Sequence, residues 1–116
     1  MAMVDKANWR EAADLLSRAI QGQMARLEVA DAAIGDQVYA EWSPLQGVTY
    51  DPKDDLFEIQ LEGVDHLVFH PTLFAIGEHD GLTESLSVVD GRGAQHILQL
   101  RDPIALPPTP DAPPVG

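Results

Sequence analysis

From Trp9 to Ile20 the apolar residues return every three or four positions. Trp9, Ala12, Ala13, Leu16, Ala19 and Ile20 form one stripe, widened by Leu15, while Arg10, Asp14 and Arg18 follow the opposite side. That is the mark of an amphipathic helix with one buried face. Asp14 and Arg18 stand four apart, so their charges meet on the exposed side. Asp5 and Asn8 are both candidate N-caps, the latter because Asn8-Trp9-Arg10-Glu11 approximates a capping box. Gly22 offers the left-handed conformation that closes a helix. The pattern predicts one helix over about residues 6 to 21.

After Gly22 the period falls to two. Ala25, Leu27 and Val29 alternate with Arg26 and Glu28, and Val38, Ala40 and Trp42 alternate with Tyr39 and Glu41, as half-buried strands do. A turn around Ile34-Gly35-Asp36 separates them. A short run from Leu45 to Tyr50 leads into Asp51-Pro52-Lys53-Asp54-Asp55, where Pro presets its backbone angle and Asp side chains cap free amides. Phe57, Ile59 and Leu61 then face one way and Glu58, Gln60 and Glu62 the other. His66 to His70 reads as a further strand stopped by Pro71, with Leu67 and Phe69 expected toward the core and His66, Val68 and His70 outward. Leu73 to Ile76 resumes beyond the proline. Leu82 to Val89 and Ala94 to Arg101 flank Asp90-Gly91-Arg92-Gly93, the strongest hairpin signal in the chain. The pattern predicts six to eight short strands, joined mainly as an antiparallel meander.

Composition limits what such a fold does. The 116 residues suffice for one domain, expected over residues 1 to 103. The segment from 104 to 116 is expected to be a disordered, proline-rich tail, since prolines at 107, 108, 110, 113 and 114 remove backbone donors. Seven Lys and Arg against nineteen Asp and Glu leave a formal charge of -12. That argues against nucleic acid, which demands clustered cations, and against an anionic membrane surface. The absence of cysteine excludes disulfides, cysteine-zinc sites and thiol catalysis. No secretory leader is read at the start, and no apolar run reaches the roughly 20 residues of a membrane span. A cytoplasmic protein is the expectation.

Part of the chain resembles an uncharacterised family of small bacterial proteins, a domain of unknown function. The resemblance is carried by Leu45-Gln46-Gly47-Val48-Thr49-Tyr50-Asp51-Pro52-Lys53-Asp54-Asp55, by Asp65-His66-Leu67 with His70-Pro71, and by Leu100-Arg101-Asp102-Pro103. It covers about residues 45 to 103 and, more loosely, the helix. It implies a bacterial origin and supplies no catalytic residue.

Candidate chemistry is sparse. His66 and His70 would share a metal on a helix, but four strand residues span about 13 Å at about 3.3 Å each, beyond the reach of one ion bound at about 2 Å. They read instead as exposed histidines or part of an interface. His79 belongs to a turn with Glu78, Asp80 and Gly81, and His96 shares its face with Ala94, Leu98 and Leu100, as a half-buried structural histidine. The cluster Asp51, Asp54 and Asp55 lacks the alternating ligands, glycine and distal glutamate of a calcium loop. No serine sits in a Gly-x-Ser-x-Gly elbow, and Gly91-Arg92-Gly93 has no following lysine and helix to cradle phosphate. Trp42 and Tyr50 are candidates for stacking on a ligand, although a place in the core is commoner for such residues. Trp9 and Trp42 are expected there.

The resulting expectation is an α+β fold: an N-terminal helix on a strongly bent antiparallel sheet, or on a small barrel of Sm or SH3-like order. No catalytic residue, metal ligand or cofactor emerges. The favoured role is a small protein-binding or regulatory module that self-associates, with His66, Val68, His70, Trp42 and Tyr50 as candidate binding residues. The alternative is a small-molecule or metal-binding domain using the His66 and His70 face, and a hydrolase-type enzyme is the least favoured.

Overall fold

The computed structural model of the protein describes residues 2–105. Its elements are β1 (Ala2–Met3), a single 3-10 turn (Lys6–Asn8), α1 (Trp9–Ile20), β2 (Met24–Asp31), β3 (Gly35–Asp51), β4 (Leu56–Leu61), β5 (Val64–Phe69), β6 (Leu73–His79), β7 (Leu82–Val89) and β8 (Gln95–Ile104). The strands form one antiparallel sheet in the order β1-β6-β7-β8-β2-β3-β4-β5. Two meanders, β2 to β5 and β6 to β8, join where β2 pairs with β8, Leu27 opposite Leu98. The sheet is bent and does not close, so β1 and β5 are its two edges and the barrel form is excluded.

The helix begins three residues later than its periodicity suggests, after the 3-10 turn, and neither Asp5 nor Asn8 makes a side-chain cap. It ends as expected before Gly22, whose φ of +87° reverses the chain while its amide donates to the Leu45 carbonyl. Trp9, Ala13, Leu16 and Ile20 bury their stripe, and α1 packs on β3, where the Ser17 hydroxyl accepts the Val48 amide at 3.1 Å. Trp9 anchors the aromatic core, with its ring 5.2 Å from Tyr50 and 5.7 Å from Phe57. Its indole N–H donates to the Val4 carbonyl at 2.7 Å, and the Val4 amide donates to Phe74. Those bonds seat the short edge strand β1, which carries no pattern readable in the sequence.

β3 is longer than either run that foretold it. It pairs with β2 through Pro44 and with β4 from Leu45 onward, carrying the sheet around its bend. Trp42 lies at that bend with φ +52°. A left-handed residue breaks the alternation, so Trp42 is half-buried and not in the core as expected.

β4 obeys its pattern: Phe57, Ile59 and Leu61 are buried. β5 reverses the expected one. Val68 is 1% exposed and His66 half-buried, whereas Leu67 is 39% and Phe69 58% exposed. The cause is the two-residue turn Glu62-Gly63, which sets Leu61 opposite Val64, Ile59 opposite His66 and Phe57 opposite Val68. Residues directly opposed across a ladder share a face, so the inward set of β4 dictates the inward set of β5.

The proline-rich segment lies, from residue 106 on, outside the described residues. Ile104 still belongs to β8, opposite Thr83.

Candidate functional site

The reversed facing of β5 turns its histidine inward. Its inward histidine, His66, meets His96 of β8, with Nε2 of the first 2.8 Å from Nδ1 of the second. His96 in turn places Nε2 2.9 Å from Asp90 Oδ2. Asp90 opens the β7–β8 turn, and its other oxygen accepts the Arg92 and Ala94 amides at 2.8 and 3.0 Å. A carboxylate only accepts, so His96 donates Nε2–H to it and keeps a lone pair on Nδ1. His66 therefore donates Nε2–H to His96. The Tyr39 ring lies 5.2 Å from that of His66.

Burial governs His66, and hydrogen bonding governs Asp90. Burial pushes the His66 imidazole below its ordinary value, with the neighbouring His96 acting in the same sense. At Asp90 burial pushes upward, but the hydrogen bonds from His96, Arg92 and Ala94 outweigh it and hold the carboxyl low. A buried histidine is thus tied on both sides, and the chain of bonds reaches from a turn to an edge strand.

A second aspartate organises the rim. Asp55 Oδ1 accepts the Tyr50 hydroxyl at 2.7 Å, Lys6 Nζ lies 3.6 Å from the same oxygen, and His70 Nδ1 lies 3.6 Å from Oδ2. The Tyr50 hydrogen bond, with help from Lys6 and His70, lowers the Asp55 carboxyl. Tyr50 itself is pushed up to about 12, by burial first and then by Asp55. Asp55 and His70 both have left-handed backbones, φ +50° and +52°, and the His70 amide donates to the Asp55 carbonyl. Such conformations cost side chains about 1–3 kcal/mol each and gather at functional sites.

Between the two clusters lies a cavity of about 560 Å³ lined by Leu67, Phe69, His70, Asp90, Gly91 and Arg92. A neighbouring cleft of about 550 Å³ shares His70 and Gly91 and continues past Asp55, Lys6 and Met3. Gly91 lets the turn cross here, since a Cβ at that position would stand 3.1 Å from the His70 backbone oxygen. Its amide donates to the Phe69 carbonyl at 3.3 Å.

The residues singled out in the sequence are only partly brought together. His66 and His70 belong to different clusters, Val68 is in the core, and Trp42 sits at the bend of β3. Tyr50 packs its ring 4.9 Å from Phe57, leaving its hydroxyl to the Asp55 cluster. His79 stands apart at the end of β6, 3.4 Å from Asp80. The pairing of His66 with His96, thirty residues away, and the approach of Lys6 to Asp55 have no local signal. The Asp90 turn does, because Asp two residues before a free amide is a recognisable cap. Two imidazoles alone face each other, and among the described residues no group of three or more His, Cys, Asp or Glu is placed to hold a metal ion.

Among the described residues no helix is long and apolar enough to cross a membrane. No solved structure matches the chain. An uncharacterised protein of Aquifex aeolicus (strain VF5) is 45% identical over 105 residues, spanning 90% of this chain and 95% of the relative. The match of a family of unknown function, DUF5335, to residues 1–109 agrees with that likeness and with the motifs between Leu45 and Pro103, and the chain belongs to this family.

Proposed function

We propose that the protein acts by protein contact through the outer edge of β5, in the first place with a second copy of itself. The observation that carries this reading is the pairing of an open strand edge with two exposed apolar side chains, Leu67 and Phe69. The His70 amide donates toward Asp55, so by antiparallel alternation Asp65 and Leu67 turn both backbone groups to the open side and Phe69 its amide, while the Phe69 carbonyl accepts the Gly91 amide. Sheet edges of this kind accept a further strand. Fully burying a Phe or Leu side chain stabilises by about 1.5–3 kcal/mol. This surface replaces the His66, Val68 and His70 face, which the register turns inward or removes from the strand.

The formal charge of -12 opposes self-association, so added salt strengthens it. The same charge supports a partner that is neither nucleic acid nor an anionic membrane, and we place the protein in the cytoplasm. Sedimentation equilibrium of tag-free protein tests the reading. The expected result is a reversible dimer with a dissociation constant of about 10 µM, about -7 kcal/mol, abolished by Phe69→Asp. A wild-type monomer at ten times that concentration, or an F69D variant that still dimerises, would refute it.

A second reading, a small-molecule site in the cleft by His70, is favoured by the convergence of Lys6, Asp55 and His70 on two left-handed backbones. Saturable binding that is lost in Lys6→Ala and retained in F69D distinguishes it.

A further inference from the structure

We propose that His66, His96 and Asp90 form a proton-operated clamp between β5 and β8, closed while the two imidazoles share at most one added proton and released when both are charged. The mechanism stands on the geometry alone; its functional consequence rests on the β5 reading above.

Among the described residues β5 ends the sheet, so β4 is its only ladder partner there. On its other side two polar links reach the β7–β8 hairpin: the His66–His96 bond at 2.8 Å and the longer Gly91 amide to Phe69 carbonyl bond at 3.3 Å. The first is the stronger and the only one that titrates. Because Asp90 holds His96 Nε2–H, the facing Nδ1 is an acceptor in the neutral pair. One proton added at His66 Nδ1 leaves the bond in place and charges its donor, which strengthens it. A second proton has only His96 Nδ1 to occupy. Two N–H groups then face each other and two like charges stand across a hydrogen-bond distance, so the contact breaks.

The surroundings fit such a device. Tyr39 covers His66 from β3, Ile59 opposes it from β4, and Val29 and Val88 flank His96 from β2 and β7. Asp90 is the anion tied to the pair, and Asp65, the acidic neighbour of His66 on β5, is exposed on the other face of the strand, where it pushes the Glu58 carboxyl up. Apolar walls resist the second charge. Asp90 compensates for one charge only. Release loosens β5 against the hairpin, weakens the Gly91 to Phe69 bond with it, and disorders the edge offered to a partner, so acid weakens self-association.

Imidazole nitrogen NMR between about pH 8 and pH 5, with amide exchange on the same dilute samples, tests the clamp. We expect the Gly91 amide and the β5 amides to exchange at least about tenfold faster, after correction for intrinsic pH dependence, as the second imidazole charges. The β2 and β3 amides should not change. His66→Gln keeps a donor for His96 but takes no proton, and should abolish the step. Both rings charged with β5 and Gly91 unmoved would overturn the clamp without reference to any variant, as would the same step in H66Q. Sedimentation at about pH 8 separates the two ideas. A monomer there refutes the docking reading while the exchange step still decides the clamp, and a dimer indifferent to acid while β5 responds overturns the link between them.

Discussion

Two of the aspartate–histidine pairs among the described residues stand at the two ends of one groove, and they differ in nearly everything except composition. In the pair of Asp90 and His96 the side chains are 18% and 8% exposed and the atoms approach to 2.9 Å; in the pair of Asp55 and His70 they are 33% and 77% exposed and stand 3.6 Å apart. Water screens the second pair, and its partners pay side-chain entropy to stay in place. The first is largely shielded, so a group left unpaired there has little water to turn to. The same two residue types therefore form a structural tie in one place and a loose, accessible rim in the other. Position relative to the sheet, not chemistry, makes the distinction.

The largest test of that contrast is His96→Ala. It leaves the half-buried Asp90 Oδ2 without its partner, breaks the link to β5, and should destabilise by about 3 kcal/mol. Chemical denaturation measures it, and a loss below about 1 kcal/mol would put the buried pair on a par with the exposed one.

Acid unfolding sharpens the comparison next. His66 titrates in the fold below its ordinary 6.5, so the unfolded chain binds the proton first. Stability should then fall as the pH drops from about 6.5 to the folded value and level off below it. Asp90 and Asp55 titrate below their ordinary 3.8. The stability they contribute is fully present above about 3.8 and disappears as pH falls through their folded values. Glu58, raised above 4.5 by burial and then by Asp65, works in the opposite sense, gaining stability as pH falls toward 4.5. The useful readout is therefore the difference between wild type and His66→Gln, which should remove the upper step and leave the lower one.

Smaller effects belong to the rim. Tyr50→Phe deletes one hydrogen bond to Asp55 and should cost about 0.5–1.5 kcal/mol. It should also move the Asp55 carboxyl back toward its ordinary value, a shift that carbon-detected NMR follows. Smallest of all, Lys6→Ala should change stability by no more than about 0.5 kcal/mol, as for other exposed ion pairs. A loss of several kcal/mol would mean that Lys6, which also lies 5.4 Å from the Trp9 ring centre, holds the N-terminal segment in place.

β4 and β5 show how far the pattern of residues carries. Phe57, Ile59 and Leu61 alternate with polar neighbours, so each position agrees with its face and the strand is legible by itself. Val64 to His70 offers two sets of nearly equal apolarity, Val and His against Leu and Phe. Taken alone, the bulkier set reads as the core. The Glu62-Gly63 turn overrules that choice, and it was present in the sequence: a two-residue loop fixes register and hence facing. Trp42 misled for a related reason, because a bend in the middle of a long strand resets the alternation.

What the sequence determined by itself is what local physics controls: the helical stripe from Trp9 to Ile20, its stop at Gly22, the alternation of β2, β4 and β8, and the Asp90 hairpin. Each needs only neighbours within a few residues. The tertiary structure alone decided that β2 would join β8, that Ala2–Met3 would extend the sheet beside β6, and that His66 would find His96 and Lys6 find Asp55. Those contacts link residues far apart along the chain, and what selects them is the burial of the whole apolar surface at once. No single segment carries that information, so the groove between the two aspartates comes into being only when the sheet bends.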